Sequence, residues 1–252
     1  ILKTNTKTLF LIGDSHVSNH IPSILKAIHE LDESISLVKI KGSFFSKDSN
    51  PKYTNYFEKV NFLMKSLSDS IDYGDILVFS TDFKDLKDKK GLLSEKALFE
   101  MNQNLEKIIK ISIQKKSNLV LVDLLPIPCL GVGSNYIGDI ESEILNPRNK
   151  ILKLKEAIEI RATCDYPLEI LSKYRTEMTK IYRNLALSNA NVDYLDFSDE
   201  LCPKKICSPV DSNNKIIYVD QSPHISIENK FILKGKWKYY LRNLLKQNLL
   251  SD

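Results

Sequence analysis

Apolar positions along the chain follow two alternating periods. Residues Thr8–Ile12 form a short, largely apolar run that stops at Gly13. The run is too short for a helix and reads as a strand of a buried parallel sheet. Beyond it, Ile21, Ile24, Leu25, Ile28 and Leu31 recur at three and four residues, one face of a helix. The same alternation predicts a strand over Ile35–Ile40, a helix over Tyr56–Ser70 and a strand over Asp75–Ser80. It continues with a helix over Glu95–Lys116, carrying Leu98, Met101, Leu105, Ile108, Ile109 and Ile113 in register, and a strand over Asn118–Leu124. The stretch 125–166 is broken by Pro126, Pro128 and Pro147 and reads as loop, with a helix near 151–161. Then come a helix over Pro167–Asn189, a short strand over Val192–Leu195, a loop over 197–223 and a closing helix over 226–249. Strands that alternate with helices predict an α/β fold. The expected architecture is a three-layer α/β/α sandwich around a central parallel sheet of about five strands. In such sheets ligands bind beyond the carboxyl ends of the strands. Gly13–His16, Gly42–Phe45 and Ser80–Phe83 fall at such ends.

Composition narrows the class. With 42% apolar and 27% charged residues over 252 positions, the chain has ordinary globular usage. No Gly/Ser/Pro-rich linker divides it, so residues 1–252 read as a single domain. The net charge of +4 comes from 36 basic and 32 acidic residues scattered among one another. The pairs Lys89–Lys90 and Lys115–Lys116 are too short for a basic stripe, which argues against a nucleic-acid partner. No apolar run is long enough to span a membrane. Four cysteines, Cys129, Cys164, Cys202 and Cys207, permit three pairings. Cys202–Cys207 with Cys129–Cys164 is the simplest, closing one short and one medium loop, with free thiols as the alternative. No His lies near any of them, so no zinc set is expected.

The candidate chemistry begins at Gly13-Asp14-Ser15-His16. A Ser between a buried strand and a helix start presents its hydroxyl on a tight turn, beside backbone N–H groups able to meet an oxyanion. Ser and Asp are also preferred helix caps, the plainer reading. A Ser nucleophile needs a base. Of the four His, His16, His20 and His29 lie on or beside the first helix. His29 reads as exposed. His16 and His20 could share a face and bind metal, but a third ligand is not apparent, and both read as structural. His224 opens the last helix, with Asp220 four residues before it to hold its Nδ1.

These residues resemble the SGNH hydrolase superfamily. Gly13-Asp14-Ser15-His16 is similar to its first block, and Asp220-x-x-x-His224-Ile225-Ser226 to its last. The likeness is greatest to the SGNH domain fused to the C-terminus of acyltransferase-3 family membrane O-acyltransferases. There a G-D-S-H opening is followed late in the chain by an L-C-x-n-C stretch, a Tyr and an Asp/His block. Here these are Leu201-Cys202 to Cys207, Tyr218, and Asp220 with His224. The sequence departs from the pattern in four places. The family's D-x-x-H spacing is one residue longer, Gln221 stands at the usual acid position, the usual Gly after the H-L-S block is replaced in the run Ile227-Glu228-Asn229-Lys230, and the third-block G-x-N-D is replaced by Ser80-Thr81-Asp82-Phe83.

The resemblance implies a flavodoxin-like fold and a Ser15–His224–Asp220 triad, with Ser15, Gly42 and Thr81 supplying the oxyanion hole and no metal or cofactor. One lost oxyanion donor typically lowers a rate by ~10²–10³, so weak hydrolysis of generic esters is expected. It further implies O-acetylation of a cell-surface carbohydrate through an acyl-Ser15 intermediate. The acyl donor would come from a membrane acyltransferase domain, and the segment would lie on the periplasmic face, joined to an inner-membrane domain. That expectation fits an opening residue that is Ile1 and not Met. The alternatives are a carbohydrate-binding module with a degraded site and a stand-alone carbohydrate esterase. Phe44, Phe45, Tyr53, Tyr56 and Phe83 could stack on sugars, although most read as core.

Overall fold

The computed structural model describes residues 7–14, 16–41, 56–81, 95–126, 165–169, 176–209, 211–213, 215, 217–218, 224–227 and 229–249. The chain runs β1 (Lys7–Gly13), a 3-10 turn (His16–His20), α1 (Ile21–Leu31), β2 (Ile35–Lys41), α2 (Tyr56–Ser70), β3 (Ile76–Ser80), α3 (Glu95–Gln114) and β4 (Asn118–Val122). It continues through β5 (Tyr166–Pro167), α4 (Thr176–Ser188), β6 (Val192–Leu195), α5 (Ser198–Leu201), β7 (Ile206–Cys207) and α6 (Lys234–Leu249).

Five strands make one parallel sheet in the order β2-β1-β3-β4-β6. Side chains alternate across it, as the period of two demands. Leu9, Leu11, Ile76, Val78, Val120 and Val122 face a core closed by Ile24 and Ala27 of α1 and Trp237, Leu241 and Leu244 of α6. Phe10, Ile12, Leu77, Phe79, Leu119 and Leu121 face the other core, closed by Met64 and Leu67 of α2, Met101 and Leu105 of α3, and Met178 and Tyr182 of α4. The result is the expected α/β/α sandwich with helices on both sides of the sheet. β2 is an edge strand, and its Val38 is exposed.

The strand order reverses direction between β1 and β3. β2 adds to one side of β1 and all later strands to the other, so a crevice is expected above the carboxyl ends of these two strands. A small antiparallel pair, β5 with β7, and the Cys202–Cys207 disulfide sit apart from the main sheet.

Several elements differ from expectation. An α-helix does not begin directly after Gly13; a 3-10 turn intervenes, and α1 starts at Ile21 with Pro22 in its first turn. Leu25 and Ile113 are exposed, and the buried positions beside them are Ile24 and Ser112. Pro167 pairs with Ile206 in β5 and β7, helical residues follow at once at Leu168 and Glu169, and α4 covers Thr176–Ser188. The 197–223 loop contains α5, a 3-10 turn and β7. The closing helix begins at Lys234, after Asn229 N–H and Ile232 N–H bond back to Ser226 and Asn229 carbonyls in turns. The helix expected near 151–161, and Cys129 and Cys164, lie outside the described residues. No described helix is long and apolar enough to cross a membrane.

Candidate active site

Three neighbouring strands end on the same side of the sheet, each followed by a polar residue: Asp14 after β1, Thr81 after β3 and Asp123 after β4. Gly13 lies level with Ser80 on one side and Lys41 on the other. Its φ is 150°, and a Cβ there would fall 1.8 Å from the Ser80 carbonyl oxygen. Only glycine allows the backbones to approach this closely while the chain turns.

The turn delivers Asp14 into a tight hydrogen-bond set. Its Oδ1 accepts from the His16 backbone N–H at 2.8 Å and from His16 Nδ1 at 3.0 Å, and its Oδ2 accepts from the Thr81 hydroxyl at 2.7 Å. An ionised carboxylate can only accept, so the His16 proton sits on Nδ1. His16 is buried, and its ring stacks on that of His224 with centroids 5.5 Å apart and planes 27° from parallel.

His224 reaches this place because its segment is stitched to the 3-10 turn and α1. Tyr218 and Ile225 form an antiparallel bridge, and Ser226 N–H donates to the Ile217 carbonyl at 2.7 Å. Ile225 N–H donates to Asn19 Oδ1 at 3.1 Å, and Ser23 Oγ–H to the Lys230 carbonyl at 3.0 Å. α6 closes the layer, where Trp237 Nε1–H donates to His20 Nδ1 at 3.3 Å. His20 packs against Phe197 and Trp237. Burial, helped by the nearby His16, lowers its pKa to about 3.

Asp123 anchors the other flank. Its Oδ2 accepts from the Thr179 hydroxyl at 2.8 Å and from the Tyr194 phenol, and its Oδ1 accepts from Leu124 N–H at 2.8 Å. Tyr182 is fully buried close by. Burial, and then the charges of Asp123 and Asp14, push its phenol well above the usual value of 10 and keep it protonated.

His224 is half-buried and set against the strand-end turn, where an imidazole can exchange a proton with a group on that turn. Ser15, Gly42 and Asp220 lie outside the described residues, as do Phe44, Phe45, Tyr53, Phe83 and the side chain of Tyr56. Ser15 stands in the chain between Asp14 and His16. Thr81 was expected as an oxyanion donor, and its hydroxyl proton is directed to Asp14. His16 and His20 do not form a metal pair: one ring goes to Asp14 and His224, the other to Trp237 and Phe197. Among the described residues no group of three or more His, Cys, Asp or Glu is placed to hold a metal ion. His29 is exposed.

Sequence reasoning passed over Asn19, the Asp14 carboxylate as a bridge, and the Asp123 cluster. The available signal for both acids was a polar residue directly after a buried strand.

Residues 2–230 match the family described as an SGNH domain fused to AT3 domains. No curated protein matches the sequence. Among solved structures, the periplasmic domain of the lipopolysaccharide acetyltransferase of Salmonella ser. Paratyphi A is similar in fold. Its TM-score is 0.60 and its identity 14%, over 95% of this chain and 85% of that one. At that identity the likeness bears on the fold.

Proposed function

The chain belongs to the family of SGNH domains fused to AT3 domains, and from that premise we propose that it is a serine-dependent acyl-transfer domain. In this reading it O-acetylates a cell-surface carbohydrate. The observation that carries the reading is the seating of His224 on His16, beside the turn that bears Ser15 in sequence. The fold-level neighbour, a lipopolysaccharide acetyltransferase periplasmic domain, supports the choice of acetyl and carbohydrate.

The proposed chemistry has two halves. Ser15 Oγ attacks the acyl carbonyl while His224 takes its proton. The donor group leaves with that proton and the acyl group stays on Ser15. A carbohydrate hydroxyl, deprotonated by His224, then attacks the acyl-serine, and Ser15 regains a proton as the new ester departs. Asp220 orients His224. The backbone N–H groups of Ser15, Gly42 and Thr81 meet the oxyanion. Water in place of the sugar gives slow esterase turnover.

In the same reading, residues 1–252 form one domain at the C-terminal end of a longer membrane O-acyltransferase. The AT3 portion hands it the acyl group on the extracytoplasmic side. The Cys202–Cys207 disulfide is in keeping with an oxidising compartment.

A non-catalytic carbohydrate-binding module is the competing reading, favoured by the long Asp220–His224 spacing and the missing G-x-N-D. Release of p-nitrophenol from p-nitrophenyl acetate tests the proposal, with labelling by a serine-reactive fluorophosphonate alongside. Turnover and labelling by the wild type, both lost in Ser15→Ala and turnover lost in His224→Ala, are expected. Background rates in all three proteins, with no label at Ser15, would favour the binding module.

A further inference from the structure

We propose that His16 is a positioning residue for His224: its imidazole, fixed by Asp14, is the platform on which the His224 ring is seated. The inference deepens the acyl-transfer reading and rests on it for its catalytic consequence.

The support runs outward from the sheet in one chain of contacts. Gly13 fixes where β1 ends, against the Ser80 carbonyl. Asp14 follows, its carboxylate held from β3 by the Thr81 hydroxyl at 2.7 Å and from the turn by the His16 N–H at 2.8 Å. That carboxylate takes the His16 Nδ1–H at 3.0 Å and so sets both the tautomer and the plane of the ring. The His16 ring is buried and cannot rotate away without breaking this bond. On its face lies the His224 ring, offset and nearly parallel at 5.5 Å and 27°, within the range in which aromatic pairs attract.

A second hold acts on the backbone. Asn19, three residues along the same turn, accepts Ile225 N–H at 3.1 Å. Ring and main chain of the His224 segment are thus both referenced to the turn carrying Ser15. A movement of that turn carries the base with it, which preserves the distance between proton donor and acceptor. Such control matters because misplacement by about 1 Å can cost ~10²-fold in rate. It also compensates for Asp220 standing one residue further from His224 than the family spacing.

Three variants of the full chain separate ring from hydrogen bond. His16→Phe keeps a stacking face and loses the Nδ1 donor. His16→Asn keeps a donor near the Nδ1 position and loses the ring. His16→Ala loses both. For p-nitrophenyl acetate, Ala and Asn are expected to lower kcat about 10–100-fold with KM within about twofold, whereas Phe stays within about fivefold of wild type. The ring-proton resonances of His224, assigned by comparison with His224→Ala, are expected to move in Ala and Asn, which lose the ring current, and to stay near their wild-type positions in Phe.

Phe falling as far as Ala in kcat overturns the platform, since the ring would not be what matters. Unchanged His224 resonances in His16→Ala overturn it as well. The resonance arm needs no turnover: if the wild type proves inactive the acyl-transfer reading fails, and the seating of His224 on His16 is still decided. If Ala does not fold, the Phe–Asn comparison gives the same decision.

Discussion

His20 has a large free-energy stake in its own protonation. It is fully buried, accepts the Trp237 indole N–H on Nδ1, and so carries its proton on Nε2, which has no hydrogen-bond partner among the described residues. Burial lowers its pKa from 6.5 to about 3, and the neighbouring His16 adds to the effect. In the unfolded chain the same imidazole titrates near 6.5. Below that pH the unfolded state binds a proton that the folded state refuses until about pH 3, so stability falls as pH falls through this window. At 1.36 kcal/mol per pKa unit, the full loss is about 5 kcal/mol. Urea midpoints measured between pH 8 and pH 4 are expected to fall more steeply for the wild type than for His20→Phe, which keeps an aromatic ring against Phe197. Parallel slopes would mean that His20 is charged in the fold. The sequence placed His16 and His20 on one helix and allowed them a shared metal. It could not reveal that an intervening 3-10 turn sends one ring to Asp14 and the other to Trp237, because that depends on where α6 packs.

At the scale of elements, legibility follows how much of an element's reason lies in its own sequence. β1, β3 and β4 are covered on both faces, so each reads as a short apolar run. The pairing of Tyr166–Pro167 with Ile206–Cys207, about forty residues on, went unread because no local pattern announces such a partner. α5 and β7 were hidden in the same way. They are short, and they are held by the Cys202–Cys207 bond and by burial of Leu201, Cys202 and Cys207 in the core under α6. Closing so short a loop restricts the unfolded chain by about 2 kcal/mol. Replacing both cysteines, Cys202→Ala with Cys207→Ala, is expected to lower Tm by several degrees. The double replacement confines the change to this one bond. An unchanged Tm would assign the local order to packing alone. Asp220 and Gly42 illustrate the opposite case: their proposed roles came from motif likeness, and both lie outside the described residues.

Across the whole molecule, the proposed site depends on an early and a late segment of the chain meeting. Gly13–His16 leave the first strand, and His224 arrives on a segment bound to Asn19 and Ser23 and capped by α6. The parallel order and the position of the crevice follow from the alternation of strands and helices, which the sequence displays openly. The meeting of Asp14, His16 and His224 does not, since no residue pattern encodes a ring stack between distant segments. The same sheet that joins the ends also couples the two cores. β1, β3 and β4 send alternate side chains to the α1–α6 layer and to the α2–α3–α4 layer, so neither layer can leave without exposing strands that the other still covers. Chains of this length often populate intermediates, which makes the coupling testable. Trp237, the one tryptophan in the sequence, is fully buried and reports on the α6 side, whereas far-UV circular dichroism reports on all helices. Urea titrations followed by tryptophan fluorescence and by circular dichroism are expected to share one midpoint and one slope. A fluorescence transition at lower urea would mean that α6 and the His224 segment detach first. The His224 ring would then leave His16 while the sheet and the turn after β1 still stand.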